Sequence, residues 1–255
     1  MKTGLVFVVM LVATPVFSQW KWQWGMNYLY SNPTGTMGTN INRAHGFSFD
    51  GGLRSPGNRW LLGTEFGYSI YGADDSRQQY QFSDGSTADM DVRVTNAFSN
   101  LMAVARFYPK PEGIFQPYVQ AKAGYSWFRT DLNIYDPNDW DDCAPVDSDI
   151  LKRDGTAIVS VGGGIQLDMS AIFKRTQPGR FYFDLGLNLV QGGRVDYMNA
   201  DGPEPTMGHG GRSDVQAEFI NTQTQVVHRH HVGYLYNSLL QMMDFRFGVT
   251  FRPRS

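Results

Sequence analysis

The chain contains a single cysteine, Cys143, among its 255 residues. An internal disulfide is therefore excluded, and so is any zinc site built on a Cys-x-x-Cys or Cys-His pattern. The lone thiol reads as an unpaired loop residue, with an intermolecular bridge as the alternative. Charge of one sign is also missing, since 22 basic residues stand against 24 acidic ones. That balance offers no electrostatic footprint for a nucleic acid. After Ser18 no apolar run approaches the roughly 20 residues a membrane helix needs. There is no Gly-x-Ser-x-Gly nucleophile motif. The acidic stretch around Asp136 lacks the Asp-x-Asp-x-Asp-Gly order of a calcium hand.

What is present is glycine (28) and aromatic side chains: 17 Phe, 13 Tyr and 6 Trp. The one continuous apolar run, Gly4 to Ala13, follows Lys2 and precedes Val16-Phe17-Ser18. A positive start, a short apolar core and a small residue before the cut describe a signal peptide. Residues 1–18 are expected to be removed, leaving 19–255 as one domain.

The remaining hydrophobicity alternates with period two, which puts one set of side chains on each face of a strand. The last stretch shows it plainly: Phe245, Phe247, Val249 and Phe251 interleave with Arg246, Gly248 and Thr250. The same pattern predicts strands over Trp20–Tyr30, Gly46–Arg54, Arg59–Gly72, Val92–Tyr108, Phe115–Phe128, Thr156–Met169 and Arg180–Gln191. An eighth runs from about Gly233 to Arg252. In its first half the apolar residues are even-numbered (Val232, Tyr234, Tyr236, Leu240, Met242), and in its second half odd-numbered. A bulge near Met242-Met243 would shift the register by one; alternatively, that half projects beyond the bilayer.

Connections alternate in length. Residues 31–45, 73–91, 129–155 and 192–232 read as long loops, and 55–58, 109–113 and 173–179 as short turns. Eight strands with long loops at one end and tight turns at the other fit a transmembrane barrel rather than a Greek-key sandwich. The face opposite the apolar one carries Asp50, Glu65, Asp168 and Asp184 against Lys21, Arg54, Arg106, Lys122 and Arg246. In a narrow barrel these point into a lumen just wide enough for side chains, where buried charges must pair. The pairs expected to be direct are Asp184 with Arg246 and Glu65 with Arg106. A lipocalin-like soluble barrel is the competing architecture. It would have to put a glycine-, serine- and asparagine-rich face to water. Trp20, Trp22, Trp24, Trp60 and Trp127 suit the membrane interface.

These features together resemble the small outer-membrane β-barrels of Gram-negative bacteria, the porin-like OmpX and OmpA-barrel type. The resemblance implies an all-β, eight-stranded antiparallel up-and-down barrel in the cell outer membrane, with short periplasmic turns and long extracellular loops. It implies contact with outer-membrane lipids and lipopolysaccharide, and insertion by the barrel-assembly machinery. That machinery would read the last strand through Phe245, Phe247 and Phe251, although Arg252-Pro253-Arg254-Ser255 follow the usual terminal aromatic. No cofactor is expected.

Two clusters outside the strands invite chemistry. His228, His230 and His231 lie in His-Arg-His-His, downstream of His209. They read as a solvated, pH-sensitive segment; the sharper alternative is a shared metal or a general base at the rim. Asp136, Asn138, Asp139, Asp141, Asp142, Asp147 and Asp149 read as a solvated acidic loop, or else as a divalent-ion bridge to lipopolysaccharide. The function expected is non-catalytic: a packed, salt-bridged lumen, with surface loops serving envelope integrity, adhesion or ligand contact. The alternatives are an accessory subunit of an envelope secretion or motility complex, a lipid-modifying enzyme active at the rim, or a narrow pore.

Overall fold

The computed structural model describes residues 20–81, 87–136, 145, 147–173, 181–200, 202–203, 212–220 and 227–253. At 78–81, 87–89, 147, 212–214, 216–220 and 227–231 it describes the backbone alone. The expected signal peptide, Cys143, His209 and most of the acidic stretch lie outside these residues.

The strands are β1 (Lys21–Pro33), β2 (Ala44–Arg54), β3 (Trp60–Gln81), β4 (Thr87–Phe107), β5 (Phe115–Tyr135), β6 (Asp147–Asp168), β7 (Phe181–Asn199), β8 (Arg212–Ile220) and β9 (Val227–Phe251). Among the described residues two short helices, α1 (Gly35–Asn40) and α2 (Met169–Ile172), sit in the connections after β1 and β6. Every pairing is antiparallel. Strands β1 to β7 pair with their sequence neighbours, β7 pairs with β9, and β9 returns to β1. Eight strands thus close an up-and-down barrel, and β8 lies outside the closure as a partner of β9 alone.

Alternation places apolar side chains outside and polar ones inside. On β1, Trp22, Trp24 and Met26 are each more than half exposed, whereas Gln23 and Asn27 are almost fully buried. Phe47 and Phe49, Val159 and Val161, and Phe245, Phe247 and Val249 likewise point away from the interior. This is the inside-out pattern of a barrel whose solvent is hydrocarbon. An aromatic belt marks the turn end through Trp22, Trp24 and Trp60, while Trp127 lies toward the loop end and Trp20, just before β1, is half-buried.

The strands run well past this band. β3 and β6 have 22 residues and β9 has 25, against the 9–11 or so that cross a bilayer. Several ladders stop early. β6–β7 pairing ends at Ile158 and Gly192, β2–β3 at His45 and Ile70, and β1–β9 at Pro33 and Met242. Past those points the wall divides into two sheets, β3-β4-β5-β6 and β7-β9-β8. Val92, Val94 and Leu132 of the first sheet pack against Met198 and Val232 of the second. Where β6 and β7 part, Lys152 Nζ lies 3.0 Å from Asp196 Oδ2, and the Asp196 amide donates to Asp154 Oδ2 at 2.7 Å.

Three of the segments read as loops are therefore largely strand. Outward polar residues and inward valines and leucines alternate there too, but for a two-sheet sandwich rather than a membrane wall. The expected register slip near Met242-Met243 does not occur. β9 pairs without interruption from Met242 to Phe251, and the irregularity sits on β7 between Gln191 and Arg194. The even-numbered apolar residues Val232, Tyr236, Leu240 and Met242 simply face inward, because the interior at this end is apolar.

Candidate functional site

The barrel interior is the molecule's densest assembly of chemistry, and it is built in tiers. At the turn end two arginines close the mouth. Arg54 donates from Nη1 to Gln23 Oε1 (3.1 Å) and from Nε and Nη2 to the Asn58 carbonyl (3.0 and 2.7 Å). Arg252 donates to Gln23 Oε1 and Gln116 Oε1, both at 2.8 Å, and to Gln166 Oε1. Their guanidinium groups stack on aromatic faces, Arg54 at 3.9 Å from the Tyr108 ring centroid and Arg252 at 3.7 Å from that of Tyr182. Glutamine carbonyls and π faces satisfy these cations without carboxylates. An open cavity of about 540 Å³ lies outside this closure, bordered by Lys21, Glu112, Gln116, Asp168, Tyr182 and Arg252.

Above the mouth lies a charge cluster contributed by six strands. Arg246 of β9 is its hub: Nη1 sits 2.7 Å from Glu65 Oε2 and 3.5 Å from Asp50 Oδ1, and Nη2 sits 3.3 Å from Asp184 Oδ1. Lys122 Nζ meets Glu65 Oε1 at 2.6 Å. Arg106 reaches Asp184 at 3.5 Å and Asp50 at 3.9 Å. Three cations thus meet three carboxylates, all less than a tenth exposed. Neutral groups supply further hydrogen bonds, while Arg246 Nε and Arg106 Nη2 make none. Tyr118 donates to Asp184 Oδ1 (2.6 Å) and accepts from Arg246 Nη2 (3.0 Å), Gln166 donates to Asp184 Oδ2 (2.6 Å), and Asn27 donates to Asp50 Oδ1 (2.9 Å). Gly164 and Gly186 lie opposite each other beneath Tyr118; a Cβ at either would run into its hydroxyl.

Two expectations need correction. Glu65 is not paired with Arg106; it meets Lys122 and Arg246, because the barrel is narrow enough for side chains to cross the lumen instead of pairing along one ladder. Asp168 is not in the cluster. It terminates β6 at the turn end, where its carboxylate accepts the amides of Ser170 and Ala171 and caps α2. Several residues of the interior were not singled out from the sequence: Tyr118, Gln166 and Asn27, Gln120, which accepts from Arg106 Nε at 2.9 Å, and Arg252 of the mouth. Tyr118 had a signal, a large aromatic on the polar face of its strand between Gln116 and Gln120. Arg252 had none, because nothing in the alternation says that the residue after the last strand turns back into the mouth.

At the loop end the interior becomes apolar. Phe98, Phe128, Ile158, Tyr197, Tyr236, Leu240 and Met242 form one buried cluster, closed from above by Met37 of α1 and by Ile41. Tyr71 donates to the Met198 carbonyl (2.8 Å) and Asn199 to the Asn40 carbonyl (2.7 Å), which tie α1 and β3 to β7.

The histidines fall on β9, where Phe219 pairs with His228, Ala217 with His230 and Gln216 with His231. Their segment is strand rather than loop, and their side chains lie outside the described residues. Among the described residues no group of three or more His, Cys, Asp or Glu side chains forms a metal cluster. Phe245 and Phe247 face outward on β9, and the Phe251 ring lies between Trp24 (5.2 Å) and Phe181 (5.1 Å).

A closed eight-stranded wall with an apolar exterior and a filled polar core narrows the protein to one kind of molecule. The model of one family, described as the outer membrane protein beta-barrel domain, matches residues 4–174. The chain belongs to this family. It is accordingly an integral outer-membrane protein, with its short turns periplasmic and its long connections extracellular. No curated protein matches it. Among solved structures it is similar to Neisserial surface protein A (NspA), with 11% identity, 91% of this chain and 97% of that one covered, and a TM-score of 0.43. It is also similar to Ail, the attachment invasion locus protein of Yersinia pestis, with 10% identity, 92% and 97% covered, and a TM-score of 0.37.

Proposed function

We propose that the protein is a non-conducting, non-catalytic scaffold of the outer membrane that holds a rigid two-sheet head above the cell surface for contact with an external ligand or surface. The observation that carries this reading is the strand length. β3, β4, β5 and β6 each run 21 or 22 residues, and their extensions have a hydrophobic core of their own. A protein needing only a membrane plug would stop its strands at the lipid boundary. The interior supports the non-conducting part, because ions would have to displace both a salt-bridged cluster and an apolar tier.

The test is a barrel whose head is broken open by replacing residues 75–92, the β3–β4 hairpin of its first sheet, with a short hairpin turn. The expected outcome is a folded barrel in the outer membrane whose cells no longer adhere to the surfaces that wild-type cells bind. Undiminished adhesion overturns the contact reading. Stepwise conductance of the purified wild-type protein in a planar bilayer overturns the non-conducting one.

A further inference from the structure

We infer that Arg129 and Arg153 form a clamp for the phosphate of a lipid headgroup at the outer rim of the lipid-facing wall. The two residues are direct cross-strand partners on β5 and β6. Both are exposed. Like charges directly opposite each other on one face of a sheet repel, so the pairing is unfavourable unless an anion lies between them. Asp131 answers only part of this charge. It meets Arg129 Nε at 2.5 Å and engages neither Nη group of that guanidinium. Arg153 has no carboxylate within ion-pair distance among the described residues. The neighbouring acid Asp154 is spent on the amides of Gly155 and Asp196, and Lys152 on Asp196.

Position identifies the ligand. The next outward residues toward the membrane are Trp127 on β5 and Gly155 on β6, which are partners. Gly155 leaves the space that the Tyr125 ring occupies, and that ring lies 5.1 Å from the Trp127 ring. An aromatic platform at headgroup level therefore lies directly beneath two guanidinium groups. A phosphorylated lipid whose chains lie along Tyr125 and Trp127 would present its phosphate to Arg153 and to the free Nη groups of Arg129. Guanidinium forks match phosphate oxygens geometrically, which an ammonium does not.

The test uses purified, folded protein in octyl glucoside, a detergent without phosphate. Bisphosphorylated lipid A and the same lipid stripped of its phosphates are titrated separately and followed by native mass spectrometry. The phosphorylated form is expected to bind about tenfold or more tightly, the contribution of one charge-assisted hydrogen bond. Arg129→Gln with Arg153→Gln should erase that preference, while Arg194→Gln should leave it intact. Heat-modifiable mobility on a gel reports folding of each variant, and Arg153→Gln alone is the fallback if the double variant does not fold. Equal binding of both lipids, or an unchanged preference in the folded variant, overturns the clamp. Displacement of the lipid by excess inorganic phosphate overturns its lipid specificity.

Discussion

The two ends of one lumen solve the same packing problem with opposite chemistry. Near the periplasmic end the interior is held by Arg246, Arg106 and Lys122 against Glu65, Asp184 and Asp50. Near the extracellular end the same strands turn in Phe98, Phe128, Ile158 and Leu240. The difference follows from what surrounds each end. Inside the hydrocarbon band the outer face must be apolar, so side chains that confer register and uniqueness are left to the inner face. Above the band water returns outside, and the strands revert to a soluble sandwich with its hydrophobic face inward. A narrow lumen tolerates charges only when each is matched, whereas an apolar core tolerates volume loss in proportion to the cavity left.

That contrast can be broken at either end. The largest effect is expected from Arg246→Ala, which removes the one cation shared by three buried carboxylates and leaves Lys122 and Arg106 to answer Glu65, Asp184 and Asp50. It should destabilise the barrel by about 3–5 kcal/mol, read as a shift in urea unfolding in micelles. Leu240→Ala in the apolar tier should cost roughly 2–5 kcal/mol by leaving a cavity, and the smaller Leu240→Met roughly 1 kcal/mol or less. A ranking in which Leu240→Ala exceeds Arg246→Ala would show that the charge cluster is hydrated and not a dry network. Arg252→Ala opens only the periplasmic mouth. It should leave planar bilayers silent, because the apolar tier still blocks the path; conductance in this variant would place the barrier at the mouth. Lys152→Ala, at the parting of β6 and β7, loses a half-exposed ion pair and should cost about 1 kcal/mol or less, with faster amide exchange confined to Arg194–Asn199.

The membrane-embedded part was legible from the sequence because hydrocarbon enforces a strict rule on every second residue. Phe245 and Phe247 out, Arg246 in, followed from period two once the alternating loop lengths and the balanced charges of the opposite face had set which face is outside. The head was not legible, because above the membrane the rule inverts within the same strand. Met242 and Leu240 obey the same parity as Arg246, yet they are apolar, so the pattern imitates a register slip. Pairing across the lumen was also hidden. Sequence order makes Glu65 and Arg106 neighbours on adjacent strands, whereas the choice of Lys122 and Arg246 depends on barrel diameter. Asp168 shows a further limit, since a carboxylate on the polar face at a strand end serves equally well as a helix cap.

The closing seam has a consequence for how such a wall can form at all. The other junctions of the wall join strands consecutive in the chain or, for β7 and β9, separated by β8 alone, but Gln23 and Arg252, which touch at the seam, are 229 residues apart. Bringing such distant ends together is entropically the most demanding step, although the penalty grows only logarithmically with the length enclosed. Until it happens, β1 and β9 are two bare edges whose amides and carbonyls hydrocarbon cannot satisfy. The rings of Trp24, Tyr28 and Tyr30 that meet Phe251, Phe247 and Phe245 across that seam reward only the finished circle. Without β9 the wall therefore keeps two unpaired edges, the surfaces on which a strand of another chain would add.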